Sequence, residues 1–312
     1  MFGSWTKWGA VLLAALFFNA CASSDDGDSD NGDALVEGEY LAVQVTQNSH
    51  ITGSVTYDGA GNGTYSYSNA QKTGDFSYSI NDINRVSAEN DQGDTQKGIV
   101  SQDGNLVVYA SSDFIKVHIK NATQTDNASL DGDFIAAQLM VGKVATGIVS
   151  YDGAGNGTYV YDEGSGADSG PFTYTVDSAG KISFGSTLGG YIGSDEKTLV
   201  YFDDGYLEFG FKKDTDATDA LLKGDYITVF FGFDQYGIGT STFDGAGRGA
   251  LSLDTGMEVD AEFSYSVRSN GRVDATNDSQ NDPAIGIGSD TDSRHAVLLT
   301  DSNDAIQIHT KQ

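Results

Sequence analysis

The chain has 312 residues, with 40 glycines, 2 prolines, and 16 each of tyrosine and phenylalanine, enough for two or three domains that each bury a core. Its 45 acidic against 17 basic residues give a formal charge of −28, which repels nucleic-acid phosphates and anionic headgroups and argues against both as partners. A single cysteine, Cys21, excludes any internal disulfide, and the lack of helical apolar spacing beyond residue 20 makes the rest all-β.

Met1 to Ala20 has the parts of a secretory signal: Lys7 as its positive charge, the apolar run Gly9 to Phe18, and Asn19-Ala20-Cys21 closing it. About ten apolar residues fall short of the roughly 20 that span a bilayer, so the run predicts cleavage and not a transmembrane anchor. Phe18-Asn19-Ala20-Cys21 resembles the lipobox of bacterial lipoproteins, with Phe18 in place of the usual Leu and Asn19 in place of the usual small residue. The resemblance implies cleavage before Cys21 and a diacylglycerol on its thiol, hence membrane attachment through a lipid. Ala22 and Ser23 lack the Asp that signals inner-membrane retention in that family, which implies the outer membrane or cell surface. The same letters hold an ordinary cleavage site, Ala20-Cys21-Ala22, whose use would release a periplasmic or secreted protein from Ser23 onward. Residues 21–33 read as an acidic flexible tether. Asp28, Asp30 and Gly32 alternate as in a calcium loop, but the closing Glu and flanking helices of that motif are missing.

Three repeats follow, at 34–129, 130–220 and 221–312. The run Tyr57-Asp58-Gly59-Ala60-Gly61-Asn62-Gly63-Thr64-Tyr65 recurs letter for letter from Tyr151 to Tyr159, and more loosely from Phe243 to Leu251. Each copy opens on Gly, an acid and an aromatic: Gly38-Glu39-Tyr40, Gly132-Asp133-Phe134, Gly224-Asp225-Tyr226. An apolar strand and a second strand lead to the Asp-Gly hairpin. A third returns through Tyr65-Ser66-Tyr67, Tyr159-Val160-Tyr161 or Leu251-Ser252-Leu253. The fourth alternates large apolar residues with hydroxyls, the period-two pattern of a half-buried strand: Phe76-Ser77-Tyr78-Ser79-Ile80, Phe172-Thr173-Tyr174-Thr175-Val176, Phe263-Ser264-Tyr265-Ser266-Val267. The fifth carries Val86, Ile182 or Val273, and the sixth Ile99, Tyr191 or Gly286. The seventh runs from Leu106, Leu199 or Ala296, and the eighth alternates again as Ile115-Val117-Ile119, Leu207-Phe209-Phe211 or Ala305 to Ile308. The hairpin needs left-handed backbone angles, expected at its glycines with Gly63 among them. A phosphate-cradling loop is the rival reading, but no helix follows and no Lys lies within it.

Closing eight meandering strands into a barrel buries one face and removes the sheet edges. The expectation is three tandem eight-stranded antiparallel meander barrels, each a self-contained unit with its aromatic rows inward. A six-bladed β-propeller is the alternative, with Asp58, Asp103, Asp152, Asp195, Asp244 and Asp290 marking half-repeats. Stacked blades need middle strands apolar on both sides, which the hydroxyls of the fourth strand disfavour. The Gly-x-aromatic opening, the Asp-Gly-Ala-Gly-Asn hairpin and the strand count resemble lipocalin- or avidin-like barrels of bacterial repeat lipoproteins. These copies are shorter than lipocalins, and Tyr40, Phe134 and Tyr226 stand where lipocalins carry Trp. Phe76, Tyr78, Tyr65 and Tyr67 either fill the barrel or line a site for a small apolar or aromatic ligand.

Catalytic, metal-binding and cofactor-binding residues are not expected. His50, His118, His295 and His309 share no motif and read as surface residues, and no nucleophile elbow is present. Acidic residues gather in turns, where capping and solvation account for them. The chain therefore reads as a non-catalytic surface lipoprotein acting as an adhesion, spacer or interaction scaffold. The alternative is a binding protein holding a small apolar or aromatic ligand inside its barrels.

Overall fold

The computed structural model describes residues 35–68, 71–185, 187–213, 217–232, 235–278, 282–288, 295–300 and 305–312. The signal segment, the lipobox Phe18 to Cys21 and the tether 21–33 lie outside the described residues, as does Asp290.

Each repeat folds as an up-and-down barrel. The first comprises β1 (Glu37–Val45), β2 (His50–Asp58), β3 (Asn62–Tyr67), β4 (Lys72–Ile80), β5 (Arg85–Asn90), β6 (Thr95–Val100), β7 (Leu106–Ala110) and β8 (Ile115–Lys120). It closes because β8 pairs with β1, Val117 opposite Val43. The second comprises β9 (Asp131–Met140), β10 (Lys143–Asp152), β11 (Asn156–Glu163), β12 (Asp168–Thr173), β13 (Thr175–Val176), β14 (Lys181–Ser183), β15 (Gly189–Ile192), β16 (Thr198–Asp203) and β17 (Tyr206–Lys212). Its sheet begins at β12 and ends at β13, which only Tyr174 separates, so it is the same barrel with the fourth strand interrupted at one residue. The third, again closed, comprises β18 (Gly224–Gly232), β19 (Gln235–Phe243), β20 (Arg248–Gly256), β21 (Val259–Val267), β22 (Arg272–Asn277), β23 (Asp282–Gly288), β24 (His295–Thr300) and β25 (Ala305–Lys311). The chain forms barrels and not propeller blades.

The Asp-Gly turns set the register as expected. Asp58 Oδ1 accepts from the N–H groups of Ala60 and Asn62, Asp152 from Ala154 and Asn156, and Asp244 from Ala246 and Arg248. Gly59 and Gly61 take the left-handed angles, φ 69° and 89°. Gly63 does not: it lies within β3, and its constraint is the Phe76 ring, whose Cζ a Cβ would meet at 2.3 Å. Gly157 under Phe172 and Gly249 under Phe263 repeat that contact at the same distance.

Inside each barrel one aromatic from the second strand is a hub for its neighbours. Tyr57 meets Tyr40, Phe76 and Tyr78 edge-on at 5.1, 5.4 and 5.1 Å. Tyr151 meets Phe134, Phe172 and Tyr174 at 5.5, 5.5 and 5.2 Å, and Phe243 meets Tyr226, Phe263 and Tyr265 at 5.1, 5.3 and 5.2 Å. Each such pair adds about 0.5–1.5 kcal/mol beyond its burial. The aromatic rows do point inward.

The barrels are not self-contained. Besides three interior cores, a fourth core is shared by all of them: Leu41, Val43, Val117 and Ile119 of the first, Ile135, Val200, Phe209 and Phe211 of the second, Val229, Val297, Ile306 and Ile308 of the third. Strands one, seven and eight of each barrel are therefore buried on both faces, as the unbroken burial of Leu106–Ala110 shows. In the eighth strand the large apolar residues face this shared core, and the alternate residues face the barrel interior. The contacts run head to tail. β6 and β7 of the first barrel meet β18 and β19 of the third, β23 and β24 of the third meet β9 and β10 of the second, and β16 of the second meets β1. Strands six and seven of each barrel thus engage strands one and two of the next, and the third contact closes the ring.

Candidate functional site

A tyrosine of the fourth strand ties down one end of each barrel. Tyr78 donates to Val36 O at 3.2 Å, Tyr174 to Leu130 O at 2.9 Å, and Tyr265 to Asp219 O at 3.3 Å. In the second and third barrels these partners belong to, or directly follow, the 3-10 turns Asn127–Ser129 and Asp219–Leu222. The opposite end of the second barrel is a mouth. There Met140, Lys143, Gly166, Asp168 and Leu188 rim a cavity of about 540 Å³ walled by Tyr151, Tyr161, Phe172, Tyr201 and Tyr206, with Glu208 among them. The first barrel holds a smaller cavity of about 210 Å³ between Tyr65, Tyr67, Phe76, Tyr109, Lys116 and His118. The third packs the corresponding space with Phe230, Leu251, Leu253 and Met257.

One position of the eighth strand sets the polarity of each interior. Pairing with the first strand aligns Val117, Phe209 and Ile308, opposite Val43, Ala137 and Val229, so Lys116, Glu208 and Gln307 are equivalent. Lys116, 6% exposed, donates to Gln96 Oε1 at 2.9 Å and lies 5.5 Å from the Tyr67 ring centroid. Burial, with Lys72 nearby, lowers its ammonium to about 8. Glu208 is 1% exposed. It accepts from Tyr161 at 2.6 Å and from Tyr206, both at Oε2, and burial raises its carboxyl to about 7 against those two hydrogen bonds. Tyr151, hydrogen-bonded to Tyr201, completes the polar wall. Burial first, and the nearby carboxylate after it, hold Tyr161 and Tyr206 well above the ordinary tyrosine value.

Three of the four histidines are buried, not superficial. His118 and His309 are equivalent, two residues beyond Lys116 and Gln307 and on the same face of the strand, and Gly210 takes their place in the second barrel. His118 Nδ1 lies 2.8 Å from Tyr57 Oη; His309 Nδ1 lies 2.9 and 2.8 Å from Thr228 and Ser241 hydroxyls. Burial pushes both well down, His309 to about 3, so both are neutral at physiological pH. His295 faces the other side of its strand and stacks on Phe211 of the second barrel. His50 Nδ1 lies 2.9 Å from Asp204 and 3.8 Å from Asp203 across the junction of the first two barrels. These three have the donor types of a metal site, and the hydrogen bond across the junction accounts for their proximity.

Glu208 was not singled out from the sequence, because an acid between Leu207 and Phe209 reads as the solvent side of an alternating strand. Cys21 lies outside the described residues. No family model and no curated protein matches the chain. Among solved structures it is similar to intact Ap-TbpB with its N and C lobes, at 9% identity over 89% of this chain and 78% of that one, TM-score 0.26. It is also similar to a mutant of transferrin binding protein B, a vaccine antigen, from Haemophilus parasuis Hp5, at 10% identity over 89% and 78%, TM-score 0.28. The β chain of DNA polymerase III from Streptococcus pneumoniae follows at 8% identity over 87% and 90%, TM-score 0.14. Such likenesses are too slight to bear on function.

Proposed function

We propose that the chain is an exported, non-catalytic binding protein, anchored at the outer membrane or cell surface through a lipid on Cys21, that holds a small ligand in its second barrel. The observation that carries the binding role is the cavity of about 540 Å³ at the mouth of that barrel, in the size range of small-molecule sites and walled by aromatic rings with a few polar groups. The apolar leader ending at the only cysteine and the acidic stretch after it support export and tethering. Mass spectrometry of the whole protein, purified from its host under native conditions, tests the binding role. A co-purifying small molecule in stoichiometric amount is expected. Protein that is always empty, and that takes up nothing from a metabolite extract, sinks it. Fractionation of Cys21→Ser tests the anchor: the variant moves from membranes to the periplasm or medium, and unchanged membrane association removes the lipid.

A scaffold role for a surface partner is the second reading. The shared central core favours it, because three barrels locked together present fixed outer faces.

A further inference from the structure

We propose that the second barrel binds a small organic cation, its ammonium group seated on Glu208 and its carbon body against the rings of Tyr151, Tyr161, Phe172 and Phe184. This rests on the reading of that cavity as a ligand site and adds the chemical class.

Glu208 points into the cavity with an incomplete set of partners. Both tyrosine hydroxyls donate to Oε2, and no group among the described residues donates to Oε1. None of the ion pairs among the described residues involves it, and Lys143 lies exposed at the mouth. An ionised carboxylate buried without a counter-charge is costly, and a cation that fits the cavity removes that cost. The walls suit the same guest. The negative faces of Tyr and Phe rings attract a cation within about 6 Å, more strongly where water is excluded. The first barrel is a built-in contrast. Its equivalent position is Lys116, whose ammonium already lies over the Tyr67 and Phe114 rings, so that interior repels a cation.

Protonation of Glu208 competes with a cationic guest, so affinity rises with pH through about 7 and levels off above it. The other titratable groups of the cavity leave this range clear. Tyr151, Tyr161, Tyr201 and Tyr206 are neutral, Tyr159 is raised as well, and Gly210 stands where the other barrels have an imidazole. Lys143 and Asp168 stand at the rim.

Titration calorimetry of the whole protein with 2-phenylethylammonium, 2-phenylethanol and phenylacetate, between pH 5.5 and 8.5, tests the proposal. At pH 8 the ammonium binds more tightly than the alcohol by on the order of tenfold to a hundredfold, the range of a charge-assisted hydrogen bond. Its affinity rises about tenfold between pH 6 and 8, as expected for a competing proton with a pKa near 7. Glu208→Gln brings the ammonium down to the alcohol and flattens the pH profile; should that variant misfold, the three probes on the unaltered protein decide alone. If alcohol or phenylacetate binds as tightly as the ammonium at all pH values, the cation class is wrong and the cavity remains a ligand site. If none of the three binds at millimolar concentration, the cation and the cavity reading fall together.

Discussion

Gly63, Gly157 and Gly249 each sit in an extended strand beneath the phenylalanine of the next strand, with no room for a side chain. Gly157→Val should cost about 1–3 kcal/mol by overpacking, read as a lowered urea midpoint at unchanged m-value. The turn aspartates act through charge. Asp58, Asp152 and Asp244 are held below the usual carboxylate range, Asp152 first by the Asn156 side-chain amide and then by backbone N–H donors, the other two first by backbone N–H donors. Their stabilisation is therefore present above the unfolded value near 4 and lost as pH falls through the folded one. Melting temperature should therefore drop steeply below about pH 4, and Asp152→Ala should blunt that drop. Glu208 has the opposite sign. With its folded value raised to about 7, burial favours the neutral acid, so stability is fullest below the unfolded value and declines until pH reaches about 7. Ligand-free Glu208→Gln should be more stable than the parent above pH 7, by on the order of a few kcal/mol, and no more stable at pH 4. Equal melting curves at pH 8 would show that the carboxyl carries no such penalty.

Where barrels meet, an arginine that opens a fifth strand reaches the residue after the third-strand aromatic or leucine pair of the next barrel. Arg85 binds Asp254 with two hydrogen bonds of 2.7 Å, and Arg272, 7% exposed, binds Asp162. The corresponding residues at the remaining junction are Lys181 and Ser68, and there His50 meets Asp203 and Asp204 instead. Arg272→Ala should lower stability by about 1–2 kcal/mol, less than for a fully buried pair because Asp162 stays half exposed. Arg268→Ala, which removes an exposed pair with Asp274 inside one barrel, should change it by less than about 1 kcal/mol. The strands themselves were legible in the letters, since alternation, Gly-acid-aromatic openings and Asp-Gly turns are local signals. Which face of a strand meets which core was not. Leu207-Phe209-Phe211 alternates as well for an outer core as for an inner one, and choosing the wrong side conceals Glu208 and His118. An unbroken run such as Leu106 to Ala110 was the available sign of two-sided burial, and it read as a short ordinary strand.

A core drawn from all three barrels couples their stabilities. Calorimetry of the whole protein should give one transition whose van't Hoff and calorimetric enthalpies agree, where independent barrels would give a calorimetric enthalpy several times larger. Separate subunits arranged head to tail come apart on dilution, and where the rotation does not close they grow into filaments. Carried on one polypeptide, the three seats are present once each and in fixed order at any concentration. Identical subunits would also be bound to share a sequence. Here lysine, glutamate and glutamine occupy the same seat in successive copies. Repetition along a single chain thus lets each chamber change its taste without its neighbours, while the common hub keeps the triplet whole.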